Sequence, residues 1–310
     1  MTALRALSWD HDGADWPNRT ASRFVEAGGL RWHVQRTGSG PPILLLHGTG
    51  ASTHSFRDLL PLLATHHEVL APDLPGHGFS SRPEDPEAMS LPGMAQALSA
   101  MLAQQNFKPA LAVGHSAGAA LLLRLAIDGV ITPRGIVSLN GAVLPQPGFR
   151  HPLFSAFVRG IVSSDTVARW FAGRIAEPGG FERLMGATGS DLDARGAALY
   201  RRLSSAPAQV GAALAMMARW DLRPIERDMA KLAPPLLLVT AARDRMILPG
   251  ESVKVRARLP SADIEQLIDA GHLAHEEHPA RIAALIAAFA RRPEVGLFQD
   301  DGQHGMVDSR

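Results

Sequence analysis

The chain has 310 residues, 46% hydrophobic and 20% charged, the profile of an ordinary globular protein with room for one large α/β domain carrying an insertion, or for two domains. Lys and Arg total 31 against 30 Asp and Glu, a net charge of +1, and no basic stretch is interleaved with aromatics, which disfavours a nucleic-acid partner. Cysteine is absent, which excludes disulfides, a thiolate nucleophile and cysteine metal sites. The first residues lack the apolar run of a signal peptide and no apolar run is long enough for a transmembrane segment, so a soluble, cytoplasmic protein is expected.

Residues 1–22 are polar with isolated tryptophans and read as an irregular lead-in. Residues 23–27 and 30–36, split by Gly28-Gly29, predict a two-stranded hairpin, Gly-Gly being a favoured tight-turn pair. The uniformly apolar Ile43-Leu-Leu-Leu46 predicts a buried parallel strand running into His47-Gly-Thr-Gly50. Phe56, Leu59, Leu60 and Leu63 recur at helical spacing, residues 68–72 predict a strand, and Leu91, Met94, Ala95, Leu98, Met101 and Leu102 mark a second one-faced helix. A strand over 110–113 leads into Gly114-His-Ser-Ala-Gly118 and a helix that is apolar nearly all round, and a strand over 134–139 follows. This alternation argues for right-handed βαβ units and a mostly parallel sheet.

From about 141 to 223 only helical patterns occur (Phe154, Phe157, Val158, Ile161; Val210, Ala213, Leu214, Met217), which predicts a helical insertion over the sheet. The alternation resumes with a strand at 235–240, a helix near 251–259, a strand at 263–268 and a helix carrying Ile282, Leu285, Ile286 and Phe289. The tail over 291–310 is polar and expected to be disordered. The division expected is a core over 23–140 and 224–290 with a cap over 141–223.

Chemistry concentrates at Gly114-His-Ser-Ala-Gly118, a G-x-S-x-G between strand and helix. A serine at the tip of such a turn sits in a strained conformation, so its neighbours must be nearly free of side chain. Its hydroxyl needs a base, and the base an orienting acid. Downstream of Ser116, Asp244 follows the strand at 235–240 and His272 follows the strand at 263–268, both at the carboxyl edge where open α/β sheets place ligands. Ser116 is thus the expected nucleophile, His272 the base and Asp244 the acid, with Asp269 ranked second. The oxyanion is expected to bind the backbone N–H of Ala117 and that of Thr49 in the loop after the third strand.

These passages, with Asp73-Leu-Pro-Gly-His-Gly-Phe-Ser80 and Gly271-His-Leu-Ala-His-Glu-Glu-His-Pro279, together resemble the α/β-hydrolase superfamily with a helical cap, over about residues 23–289. The resemblance implies an α/β fold with a mostly parallel eight-stranded sheet flanked by helices. Trp16-Pro-Asn-Arg19, His47-Gly-Thr-Gly-Ala-Ser-Thr-His-Ser55, and the cap run from Thr188-Gly-Ser-Asp-Leu-Asp193 through Met216-Met-Ala-Arg-Trp-Asp-Leu222 look closer still to the bacteriochlorophyll-biosynthesis α/β-hydrolases, the magnesium chelatase accessory protein family. That implies magnesium porphyrin metabolism, a small-molecule substrate such as a porphyrin ester, and contact with magnesium chelatase. A serine hydrolase of this kind needs no cofactor. The alternative is a non-catalytic porphyrin-binding or chelatase accessory protein on the same fold.

Serine at the elbow argues against the dehalogenase and epoxide-hydrolase branches, which use a carboxylate nucleophile. Substrate contact is expected of His47, Gly48, His115, Met217 and Trp220, with Arg150-His151 as a candidate for an anionic propionate. Of the cap residues Phe154, Phe157, Trp170, Phe171, Met216, Met217 and Trp220, most are expected to pack helices together and one or two to reach the cavity. His115 reads as a shape and hydrogen-bonding residue, and His77 as a structural loop residue. The run His275-Glu-Glu-His278 lacks the spacing that puts two histidines on one helix face, and no metal site is expected.

Overall fold

Strands dominated by apolar residues require cover on both faces, and the central β-strands over 43–46, 111–115 and 135–139 are buried along their whole length. The computed structural model describes residues 4–145 and 164–297. Among them are eight strands, β1 (Ser22–Ala27), β2 (Leu30–Thr37), β3 (Pro42–Leu46), β4 (Glu68–Pro72), β5 (Leu111–His115), β6 (Gly135–Leu139), β7 (Leu236–Ala241) and β8 (Asp263–Leu267), in the order β1-β2-β4-β3-β5-β6-β7-β8. The pairs β1 with β2 and β2 with β4 are antiparallel; all others are parallel. The hairpin at Gly28-Gly29 and the mostly parallel sheet match the reading of the sequence.

Side-chain alternation divides the core in two. Leu44, Leu46, Leu70, Ala112, Ile136 and Leu238 face one way, onto helices at Leu91–Gln104 and Ala117–Ile127. Ile43, Leu45, Val69, Val113, Val137 and Val239 face the other way, onto helices at Leu59–Leu63 and Pro279–Ala290. In chain order the helices are α1 (Trp9–Asp12), α2 (Leu59–Leu63), α3 (Leu91–Gln104), α4 (Ala117–Ile127), α5 (Asp165–Ala176), α6 (Gly180–Gly186), α7 (Ala194–Ser204), α8 (Pro207–Arg219), α9 (Arg223–Asp228), α10 (Gly250–Arg258), α11 (Ala274–Glu277) and α12 (Pro279–Ala290). The insertion is helical in its described residues, and Ala212, Ala215 and Met216 of α8 join the first core.

Because β3 leads to β4 on one side and pairs with β5 on the other, the strand order reverses between β3 and β5. At such a switch point the loops after the two strands diverge and leave a crevice at the carboxyl edge. The loop at 47–50 and Ser116 flank this crevice, and the ends of β6, β7 and β8 line up along the same edge.

Three expectations need correction. The helix read from Phe56 to Leu63 is a 3-10 turn at Thr53–Phe56 followed by α2. Pro61 has no N–H to give the Arg57 carbonyl, which instead accepts from Asn18 Nδ2 at 3.0 Å. The lead-in is not irregular: Trp16 is buried, its indole N–H donates to Thr53 Oγ1 at 3.2 Å, and Arg202 of the cap donates to Asp15 at 2.7 Å and 2.9 Å. It straps cap to core. The start of the tail also packs, with Val295 buried in the second core; residues 298–310 lie outside the described residues.

Candidate active site

β5 passes into α4 with a single residue, Ser116, between them, at φ 52° and ψ −118°. This is a costly conformation for a side-chain-bearing residue, held by its surroundings. Ser116 N–H donates to Leu139 O at 3.0 Å, and its carbonyl accepts from Ala119 at 3.2 Å and Ala142 at 3.0 Å. The flanking glycines are required by close approach. A Cβ on Gly118 would overlap the Leu46 carbonyl oxygen, and one on Gly114 would lie 2.5 Å from Ala119 N.

At the ends of β7 and β8 stand Asp244 and His272. The Asp244 side chain is fully buried and takes four hydrogen bonds. Oδ1 accepts from the backbone N–H groups of Met246 at 2.8 Å and Ile247 at 2.9 Å; Oδ2 accepts from Asn140 Nδ2 and from His272 Nδ1, both at 2.8 Å. The structure therefore joins two of the three expected residues directly. It brings the third alongside: His115, next to Ser116, donates from Nε2 to the His272 carbonyl at 2.9 Å, with ring centroids 4.8 Å apart. Asp269 is elsewhere, half-exposed and accepting from Arg281 at 3.1 Å.

Two contributors were not read from the sequence. Asn140, at the end of β6, holds φ 47° and braces Asp244. Its signal was there, since asparagine tolerates left-handed backbone better than most residues. The other is the cap loop at 187–190, whose Thr188 carbonyl accepts from His272 N–H at 2.9 Å and whose Ser190 Oγ accepts from Leu273 N–H at 2.8 Å. Nothing in the local sequence marks that contact.

The run after His272 has a structural use for both of its glutamates. Glu277 accepts from Gly271 N–H at 2.7 Å, from Asp191 N–H at 3.0 Å and from Arg243 at 3.2 Å, so one carboxylate ties the histidine loop, the cap and the acid loop together. Glu276 is buried, accepts from Tyr200 Oη of α7 at 2.7 Å, and pairs with Arg57. Burial pushes its carboxyl up to about 7, against the pull of Arg57 and Tyr200. Arg57 keeps its charge: burial opposes it, but Glu276, Asp58 and Asp193 outweigh that.

The loop expected to supply an oxyanion donor lies beneath α8. Gly48 abuts the serine, since a Cβ there would be 2.8 Å from Ser116 Cβ. Thr49 Oγ1 donates to Met216 Sδ at 3.4 Å, and Gln209 Nε2 donates to the carbonyls of Gly50 at 3.1 Å and Ala51 at 3.3 Å. The cap methionine that reaches this loop is therefore Met216, 1% exposed, whereas Met217 is 51% exposed. Trp220 donates its indole N–H to Met89 O at 3.1 Å and packs against the core.

His47 is fully buried with both ring nitrogens engaged: Nε2 accepts from Leu74 N–H, so Nδ1 carries the hydrogen and donates to Gly48 O, both at 2.8 Å. That ring holds two loops in place rather than presenting an edge to a substrate. Burial likewise drives His115 well below the usual histidine range and His77 and His275 to about 3, so these rings are neutral neighbours and not additional bases. His275 stacks on His115 at 4.4 Å, while His278 is partly exposed beside Asp269. Among the described residues no cluster of three or more His, Asp or Glu is placed to hold a metal ion, and no helix is long and apolar enough to cross a membrane. Trp170 is 59% exposed and meets Phe171 edge-to-face at 4.9 Å, so this pair does not pack the cap interior. Arg150, His151 and the pattern from Phe154 to Ile161 lie outside the described residues.

The chain belongs to the alpha/beta hydrolase family: it matches that family's model over residues 43–285, from β3 into α12. It is 37% identical over 279 residues to the magnesium-chelatase 30 kDa subunit of Rhodobacter capsulatus, covering 88% of this chain and 95% of the relative. It is 26% identical over 270 residues to haloalkane dehalogenase 2 of Mycobacterium tuberculosis, covering 86% and 93% of the two chains. The pimeloyl-(acyl-carrier protein) methyl ester esterase of Xylella fastidiosa is also 26% identical over 270 residues, with 83% and 98% covered. Among solved structures, an alpha/beta hydrolase fold protein from Burkholderia ambifaria superposes with a TM-score of 0.70 at 25% identity, covering 86% of this chain and 97% of that one.

Proposed function

We propose that the protein is a serine hydrolase acting on an ester-like substrate, with Ser116 as nucleophile, His272 as general base and Asp244 as its orienting acid. One observation carries this reading: a serine in strained backbone beside a buried Asp–His pair closed at 2.8 Å, all at one sheet edge. With Nδ1–H committed to Asp244, His272 offers Nε2 to the Ser116 hydroxyl. Ser116 Oγ attacks the ester carbonyl as its proton passes to His272, and the oxyanion is held by the N–H groups of Ala117 and Thr49. His272 returns the proton to the departing alkoxide, leaving an acyl-enzyme. Water then attacks with His272 again as base, releasing the acid and restoring the serine.

The pathway proposed is bacteriochlorophyll biosynthesis in the cytoplasm, with a porphyrin ester or related intermediate as substrate and magnesium chelatase as a contact. The likeness to the Rhodobacter capsulatus relative supports this. The likeness to a methyl ester esterase supports ester hydrolysis, and the serine at the elbow sets the chain apart from a carboxylate-nucleophile dehalogenase mechanism. A second reading, a non-catalytic porphyrin-binding or chelatase-assisting protein, draws on the same relative, which bears a subunit's name rather than a hydrolase's.

Intact-mass measurement after exposure to a small fluorophosphonate separates the two. A single adduct on the wild type that is absent from Ser116→Ala is expected, together with a loss of ester turnover on the order of 10⁴–10⁶ in the variant. Folded wild type that takes no adduct overturns the hydrolase reading. Chelatase stimulation unaffected by Ser116→Ala would then favour the binding role.

A further inference from the structure

Outside the crevice, a cavity of about 190 Å³ opens between the N-terminal strap, the loop at 76–82 and the start of α8. Among the described residues that line it, two arginines, Arg31 and Arg82, are the charged ones, and none is a carboxylate. Arg82 is half-buried, yet its guanidinium makes no hydrogen bond or ion pair with any described residue. Asp165 acts on it only through space, and Arg219 opposes that effect. The Arg31 guanidinium lies over the Phe24 ring at 3.7 Å, likewise without an acceptor among the described residues. Ser81 Oγ accepts from Arg31 N–H at 2.9 Å, which leaves its own hydrogen available. A partly desolvated guanidinium is ordinarily matched by an acceptor, and a planar fork of donors suits a carboxylate or phosphate best. Leu7 and Phe79 add an apolar patch to the wall, beside Ser80, Ser81 and Gln209. The volume far exceeds the ~30 Å³ of a single water.

We propose that this cavity binds a small organic anion, its carboxylate or phosphate paired with Arg82 and Arg31 and its body against Phe79 and Leu7. The wall is tied to the crevice through Gln209, whose Oε1 accepts from Gly78 N–H at 2.8 Å while its Nε2 holds Gly50 and Ala51. Occupancy of the cavity therefore bears on the loop proposed to hold the oxyanion.

The test is calorimetric titration of the full chain with succinate and with inorganic phosphate, at constant ionic strength set by chloride. Saturable binding of at least one anion is expected, weakened about 10- to 100-fold in Arg82→Gln, the loss of a charge-assisted pair. Arg31→Gln, at an exposed position that tolerates change, should weaken it too and keeps the test alive if Arg82→Gln fails to fold. Binding of succinate alone assigns a carboxylate ligand; binding of phosphate alone assigns a phosphoryl group. The site does not rest on the hydrolase reading, so Ser116→Ala should bind as the wild type does. No saturable binding by either anion, or binding unchanged in both arginine variants, overturns the proposal.

Discussion

Replacing Glu276 by glutamine should stabilise the protein at pH 8, although it removes a buried ion pair. The carboxyl titrates at about 7 in the fold against 4.5 in the open chain, because it is wholly buried and carries the desolvation cost of its cluster. Each tenfold change in proton affinity is worth about 1.4 kcal/mol, so that rise corresponds to about 3 kcal/mol. The sign follows from proton counting. Between pH 4.5 and about 7 the folded chain holds a proton on Glu276 that the unfolded chain has released. The unfolded state then binds fewer protons, so this group's contribution to stability falls as pH rises and is fully lost above 7. Glutamine is neutral like the protonated acid, keeps an acceptor for Tyr200 and does not titrate, but its NH2 group cannot accept from Arg57. Arg57 retains Asp58 at 3.1 Å and Asp193 at 3.3 Å, both partly exposed and able to carry the countercharge. Urea denaturation of wild type and Glu276→Gln between pH 5 and 8.5 measures the difference. From the acid to the alkaline end the variant should gain about 3 kcal/mol on the wild type and be the more stable of the two at pH 8. A variant less stable than wild type by ~3–5 kcal/mol at pH 8, the cost of breaking a net-favourable buried pair, would refute the reasoning.

Two further substitutions probe the site. Asn140→Ala removes a hydrogen bond to the buried Asp244 carboxylate and puts a Cβ into left-handed backbone, so a loss of about 2–4 kcal/mol is expected by urea denaturation. Fluorophosphonate labelling of Ser116 should slow with it, and Asn140→Gly, which relieves the backbone but not the lost bond, should recover stability more than rate. Gly118→Ala drives a methyl against the carbonyl oxygens of Leu46 and His47, backbone atoms that cannot move aside. Thermal unfolding should show a loss of about 3 kcal/mol, and a neutral result would refute the close approach of α4 to β3.

Much of this protein was legible in one dimension because its signals are local. The uniform apolar run of β3 and the mainly apolar runs of β5, β6 and β7 demand cover on both faces, and Gly-Gly between β1 and β2 demands a hairpin. The elbow is readable for the same reason: the close approach of β5, α4 and β3 leaves no room for a side chain at Gly114 or Gly118. Boundaries erred where a distant group settled a local question, as at Pro61, where Asn18 takes up the carbonyl that α2 leaves free.

The site divides along the same line. Asp244 and His272 follow their strands at the expected edge, and parallel pairing of β6, β7 and β8 brings strand ends that are far apart in sequence side by side. What holds the pair in place could not be read. Asn140 belongs to a different strand from Asp244, and Thr188 and Ser190 reach the histidine loop from the cap, more than eighty residues earlier in the chain. The choice of Met216 over Met217 turns on a helix rotation set by how α8 seats on the loop at 47–50. By itself the sequence determined which residues could form strands, turns and the serine elbow, since spacing and backbone freedom are properties of neighbours. Only the tertiary structure decided which carboxylate meets His272, which histidines are spent on holding loops, and that Glu276 is buried deeply enough to keep its proton near neutrality. Those outcomes depend on desolvation and on contacts between groups that the chain brings together only by folding.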